Sequence, residues 1–115
     1  MLSDDELWSR VKQLEGETIY TIVQKKPNKV LRVTDSEVII EGRTTRPSRR
    51  FVVRVYRYLC RNGEVTGRDW IKICGNEFCG KVGRITLAIL VRAIPDQVES
   101  FTRDERGLSG IKLRK

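Results

Sequence analysis

The chain has 115 residues, of which 39% are apolar and 33% are charged, and its net charge is +8. This composition favours a soluble globular protein of one domain, or of two small modules on a shared core. No apolar run approaches the roughly 18 residues of a membrane span, and the acidic start MLSDDELW is unlike a secretory or transit peptide, so we expect a cytoplasmic protein with no membrane partner.

The N-terminal part of the chain predicts a helix followed by three strands. The S-x-x-E spacing at Ser3 is that of a capping box, and apolar residues then recur on one helical face until Gly16 ends the helix. Three β-branched runs follow, at residues 18–23, 29–33 and 37–42. The turn-forming stretches KKPN and TDS separate them, which predicts an antiparallel meander.

The rest of the chain predicts three helices and a β-hairpin, after the linker candidate RTTRPSRR. From Ser48 the apolar period is helical, and Gly63 ends that helix. The stretch EVTGRDWIKIC opens a second helix, with Thr66 as its N-cap and Asp69 in its first turn. The stretch KVGRITLAILVRAIP forms a third helix that Pro95 closes, and alternating residues around DERG then predict the hairpin.

This order of elements over residues 48–115 resembles that of winged-helix domains, a superfamily of helix-turn-helix proteins. The phrase YLCRNGEVTGRDWIKI looks like the winged-helix stretch in which a helix ends on Asn-Gly and a Thr or Ser cap opens the next. The resemblance implies that the third helix enters the major groove with Lys81 and Arg84, beside a wing, TRDERGLSG, that carries Arg103 and Arg106. Eight of the ten residues from 85 to 94 are apolar, which leaves a polar face only near the start of this helix.

The expected fold class is therefore α+β. An N-terminal helix and three-stranded antiparallel meander, residues 1–45, pack on a winged-helix-like module with a C-terminal β-hairpin, residues 46–115. Within residues 7–45, the stretch LWSRVKQLEGETIYT is also similar to small β-rich modules that accompany restriction-type nucleases and helicases. That second resemblance favours a nucleic-acid context.

The stretch KICGNEFCG places Cys74 and Cys79 five residues apart. A structural zinc site needs four thiolate or imidazole ligands, but the chain has no histidine and only Cys60 as a third thiol. A redox pair has the tighter Cys-x-x-Cys spacing, and an odd cysteine count favours reduced thiols. We expect no metal and no other cofactor, with Cys74 and Cys79 reduced on either side of a turn between two helices.

Most of the net positive charge is concentrated in residues 42–62, which contain seven arginines and no acidic residue. They are Arg43, Arg46, Arg49, Arg50, Arg54, Arg57 and Arg61. On the helix predicted from Ser48, the last four of these arginines fall within about 60° of arc. No acidic residue lies within reach of them along that helix. The alternative to a solvated helix face is an anion-binding surface, and we predict the latter.

The sequence predicts no enzyme. Without histidine, acid–base catalysis would depend on carboxylates or a lysine, and EVIIEGR has arginine where a nuclease needs lysine. No glycine-rich phosphate loop or nucleophile elbow occurs. Two functions stay open: a duplex-DNA-binding regulator or accessory protein, and an adaptor or inhibitor that docks its basic face on an acidic protein partner. RNA binding and a homodimer are also left open.

Overall fold

A computed structural model describes residues 1–75 and 79–114, and it confirms the α+β fold class. Helices and strands alternate in blocks along the chain. In chain order the elements are α1 (Asp4–Lys12), β1 (Thr18–Tyr20), β2 (Pro27–Val33), β3 (Val38–Ile40), α2 (Arg49–Asn62), β4 (Glu64–Thr66), α3 (Trp70–Cys74), α4 (Gly80–Ala93), β5 (Val98–Phe101) and β6 (Gly110–Leu113).

Helix α1 begins with the predicted capping box. The Ser3 hydroxyl accepts from the Glu6 N–H at 3.1 Å, and the Glu6 carboxylate accepts from the Ser3 N–H at 3.0 Å. The helix ends at Lys12, earlier than expected. The chain then turns through Gly16, which has a φ of 85°, and Leu14 is buried from within this turn.

Strands β1, β2 and β3 form the predicted antiparallel meander, in the order β1-β2-β3. One face of the sheet is buried, because Ile19, Val30 and Ile40 point into the core. Strand β1 is shorter than the predicted run, since the chain after Tyr20 enters the turn to β2. Trp8 of α1 lies against this sheet and donates its Nε1–H to the backbone carbonyl after β2, at 2.9 Å.

Helix α2 has the predicted ends. The Ser48 hydroxyl accepts from the Phe51 N–H at 3.0 Å, and Gly63 caps the helix with a φ of 86°. Helix α3 begins later than predicted, at Trp70 rather than after Thr66. The reason is that Thr66 belongs to β4, and its N–H donates to the carboxylate of Asp69 at 2.7 Å.

Helix α4 lies at the centre of the core. Every residue from Ile85 to Leu90 is buried, and the helix contacts α1, α2, β1, β5 and β6. A single apolar cluster includes residues of both halves of the chain. Residues 1–45 and 46–115 therefore share one core.

The second sheet joins β4 to the predicted C-terminal hairpin, in the order β4-β6-β5. Strand β6 lies in the middle and is antiparallel to both neighbours. Ile111 is fully buried beneath it, opposite Val65 of β4. None of the helices in the two described segments is long and apolar enough to cross a membrane.

Candidate nucleic-acid interface

Helix α2 presents a row of arginines on its outer side. The row consists of Arg50, Arg54, Arg57 and Arg61, all of them exposed. On the opposite side of the helix Val55 and Leu59 are fully buried, as the 3.6-residue period requires. The predicted separation of a basic face from an apolar face is therefore confirmed.

No acidic residue lies along α2, as predicted, but two of its arginines pair with carboxylates from another helix. The Arg57 guanidinium donates to both carboxylate oxygens of Asp4, at 2.8 and 2.6 Å. Arg49 pairs with Asp5 and also lies over the ring of Trp8, at 5.8 Å from its centroid. Both acids belong to the first turn of α1, and sequence reasoning that considered one helix at a time missed them.

Arg43 and Arg46 do not extend the row as predicted. Arg46 pairs with Glu37 at 3.1 Å, and the Arg43 Nε donates to the side-chain oxygen of Asn28 in β2 at 2.7 Å. An open groove runs along the exposed side of α2, and neither arginine lines it. The first two arginines of the linker therefore bind side chains of the meander and not of α2.

An open groove of about 770 Å³ runs along the exposed side of α2. It is lined by Arg49, Arg50, Arg54, Arg57, Arg61, Asp4, Asp35, Ser36, Ser48 and Val53. Five basic and two acidic residues give this arginine groove a net charge of +3.

Three cations of the arginine groove are not neutralised by the described residues. Arg50, Arg54 and Arg61 form no ion pair with any part of the chain within residues 1–75 and 79–114. The carboxylate of Asp35 is bound by Lys12, which holds the pKa of Asp35 below its usual range. The groove therefore keeps three guanidinium groups that have no acidic partner among the described residues.

The start of α4 contributes two further predicted residues, Lys81 and Arg84. Both side chains are exposed, but neither lines the arginine groove. The helix behind them is covered by α1 and β1 of the N-terminal half. The exposed polar side chains near the start of α4 are therefore Lys81 and Arg84.

The hairpin loop holds Arg103 and Arg106 in different ways. Arg103 is exposed, with a φ of 47°. Arg106 pairs with Asp104 at 2.8 Å and with Glu64, next to the end of α2, at 2.9 Å. The hydrogen bond from Arg106 to Asp104 also lowers the pKa of the Asp104 carboxyl. Arg106 therefore fastens the loop to β4, and Arg103 is the loop's unpaired cation among the described residues.

The thiol prediction is wrong for Cys74 and Cys79, which form a disulfide. Cys74 ends α3 and Cys79 is the N-cap of α4, and their Cα atoms are 6.5 Å apart, within the usual range for a disulfide. The turn predicted between them includes residues 76–78, which lie outside the described residues. Spacing and an odd cysteine count contain no information about that approach. Cys60 is the free thiol, half-buried on α2.

No group of three or more Cys, Asp or Glu residues that could hold a metal occurs in residues 1–75 and 79–114. The Tyr58 hydroxyl donates to Asp69 at 2.6 Å, and this bond raises the pKa of Tyr58 to about 12. The bond joins α2 to the N-cap of α3 and is structural.

Comparison with protein-family models, curated proteins and solved structures finds no match for this chain. The resemblance to winged-helix domains and the similarity to nuclease-associated modules therefore stay predictions.

Proposed function

We propose that this chain is a non-enzymatic nucleic-acid-binding protein that contacts duplex DNA through the arginine groove. The observation that carries the proposal is the row of unpaired guanidinium groups at Arg50, Arg54 and Arg61. The first and the last are eleven positions apart, which is roughly 16 Å along the helix. That length covers about five phosphates of one DNA strand.

The position of the hairpin loop also supports DNA binding on this side of the molecule. Arg106 joins the loop to Glu64, three residues after Arg61, so the loop lies beside the C-terminal end of α2. Arg103 is an exposed cation of the same loop, although it does not line the arginine groove. In a winged-helix protein the wing contacts the backbone beside the recognition helix, and the order of elements from α2 to β6 is compatible with that arrangement.

Contacts of this kind position a protein on DNA without specifying a sequence. Only Lys81 and Arg84 are candidates for base contacts, because the middle of α4 is buried. The proposal therefore predicts strong backbone binding and modest sequence preference.

One observation favours a second candidate, an acidic protein partner. Asp4 and Asp5 already place carboxylates on Arg57 and Arg49, and these pairs support the candidate. A partner surface rich in aspartate and glutamate would use the same arginines.

A salt series separates the two candidates. Binding of a labelled duplex is measured by fluorescence anisotropy from about 50 to 200 mM salt, where several phosphate contacts give a steep log–log slope. Poly-glutamate at the same charge concentration is the competitor. The DNA proposal expects the duplex to bind more tightly, and it is wrong if the duplex does not bind while poly-glutamate does.

A further inference from the structure

The hairpin of β1 and β2 is a second basic surface. Between Thr18 and Val33 the chain has four basic residues and no acidic one. They are Lys25, Lys26, Lys29 and Arg32. None of them forms an ion pair within the described segments, whereas nine other lysines and arginines do. Their charge is therefore available to a ligand.

An aromatic ring lies among these cations. Tyr20 is 57% exposed, while Ile19 before it is buried, because side chains alternate between the faces of a strand. Tyr20 stands opposite Pro27 in the β1–β2 register. Lys29 is its diagonal neighbour on the same face, and the exposed Leu31 continues that face along β2.

The turn between the strands holds two of the lysines in place. The Thr21 N–H donates to the Lys26 carbonyl at 3.1 Å, and the Lys26 N–H donates to the Thr21 hydroxyl at 2.9 Å. Lys25 adopts a left-handed conformation, with a φ of 55°, which is uncommon outside glycine. This ordered turn fixes the backbone of both lysines directly after the strand that carries Tyr20.

We propose that the outer face of this hairpin binds single-stranded nucleic acid. Exposed aromatic rings stack on unpaired bases, while nearby cations neutralise the phosphates between them. A base of an intact duplex is stacked on its neighbours, so its face is not free to reach Tyr20. The ring would take one base, and Lys25, Lys26 and Lys29 would contact the adjoining phosphates.

This site is separate from the arginine groove. None of the hairpin residues lines that groove, and the proposal does not depend on duplex binding. Glu41 borders the face, since its N–H donates to the Lys29 carbonyl at 3.0 Å. Even with Glu41 included, the four cations leave the surface positive.

The first test replaces Tyr20 and measures the anisotropy of a labelled oligothymidylate at low salt. Loss of one base–aromatic stack weakens binding about 5- to 150-fold, so Tyr20→Ala and Tyr20→Leu should both show this loss. Tyr20→Phe keeps the ring and should bind like the wild type. Circular dichroism confirms that each variant folds. Wild-type affinity in Tyr20→Leu would contradict stacking and overturn the proposal.

The second test removes charge. Lys25→Gln with Lys26→Gln should reduce the salt slope for oligothymidylate by about 1.4, because each single-strand phosphate contact contributes about 0.7. Arg68→Gln with Lys72→Gln removes the same charge from the exposed surface around α3 and should leave the slope unchanged. An equal loss in this control would mean diffuse attraction and overturn the proposal.

The partner class is tested in the same assay. Absence of oligothymidylate binding, or Tyr20-dependent binding of poly-glutamate in its place, overturns the single-strand proposal, and the latter result identifies an acidic protein partner. The loss of oligothymidylate affinity caused by Tyr20→Leu should be the same in the wild type and in the Arg50→Gln, Arg54→Gln variant, because Tyr20 does not line the arginine groove. Failure of this site and failure of the duplex proposal are thus distinguishable.

Discussion

A Cβ atom on Gly83 would lie 2.6 Å from the indole ring of Trp70. Gly83 belongs to α4 and Trp70 begins α3. The ring of Phe51 in α2 stacks on the indole, with its centroid 6.4 Å from that of Trp70. Gly83 is buried within α4. The missing side chain therefore sets how closely the central helix approaches α3.

The first prediction is that Gly83→Ala destabilises the protein. Alanine gains about 1 kcal/mol of helix propensity over glycine, but overpacking a buried contact costs about 1–3 kcal/mol, and the buried indole has little room to shift. We expect a net loss of stability in urea denaturation. Gly80→Ala is the control, because no atom lies within 4 Å of its added Cβ. Equal stability of the two variants would contradict the packing described.

The second prediction concerns alkaline pH. The pKa of Tyr58 is raised from 10.0 to about 12, first by its hydrogen bond to Asp69. A raised folded-state pKa means that this bond contributes its full stability below pH 10.0 and loses it as the pH approaches about 12. The difference in unfolding free energy between wild type and Tyr58→Phe should therefore shrink over that range. A constant difference would contradict the bond.

The third prediction is that one thiol, that of Cys60, reacts in the unfolded, unreduced protein. Alkylation followed by mass spectrometry should count one modified cysteine before reduction and three after it. Closing the short loop from Cys74 to Cys79 stabilises the fold by about 2 kcal/mol in the chain-entropy account, so reductant should lower stability by that order. Three modified thiols before reduction would contradict the disulfide.

The matched variant for that experiment replaces Cys74 and Cys79 by serine. It should match the reduced wild type in stability, and reductant should have no further effect on it. Cys60→Ser should keep the full response to reductant.

Much of the fold could be predicted because it follows from local patterns. The capping box at Ser3, the left-handed end of α2 at Gly63 and the alternation of buried residues in β2 each depend on neighbours in sequence. The exposed arginine row of α2 was predictable for the same reason. The start of α3 was not predictable, because Thr66 ends β4 and does not cap the helix. Its N–H donates instead to the carboxylate of Asp69, which is the N-cap residue of α3.

The state of the candidate site was less accessible from sequence. Arg57 and Asp4 are 53 residues apart in the chain, and no local pattern indicates that they meet. The acidic first turn of α1 is evident in the sequence, but acidic residues there are also explained by their favourable interaction with the helix dipole. The Cys74–Cys79 bond likewise depends on how α3 turns into α4.

The fourth prediction follows from this long-range pairing. Asp4→Asn with Asp5→Asn removes the carboxylates that occupy Arg57 and Arg49. If the arginine groove binds phosphates, duplex affinity should increase, and the salt slope should steepen by up to about 2 as two further cations become available. Asp96→Asn is a control that frees Arg10, outside the groove. Unchanged duplex affinity in the double variant would contradict DNA binding in the arginine groove.

The most direct test of the proposed function compares two charge-matched variants on labelled duplex DNA across a salt series. Arg50→Gln with Arg54→Gln removes two unpaired cations of the arginine groove, whereas Lys25→Gln with Lys26→Gln removes two from the hairpin. We predict that the arginine variant loses affinity for all duplex sequences alike and that its salt slope falls by about 2, while the lysine variant retains the wild-type slope. Equal slopes in the two variants, or no wild-type binding at about 50 mM salt, where phosphate contacts are strong, would contradict the arginine groove as a DNA-binding surface.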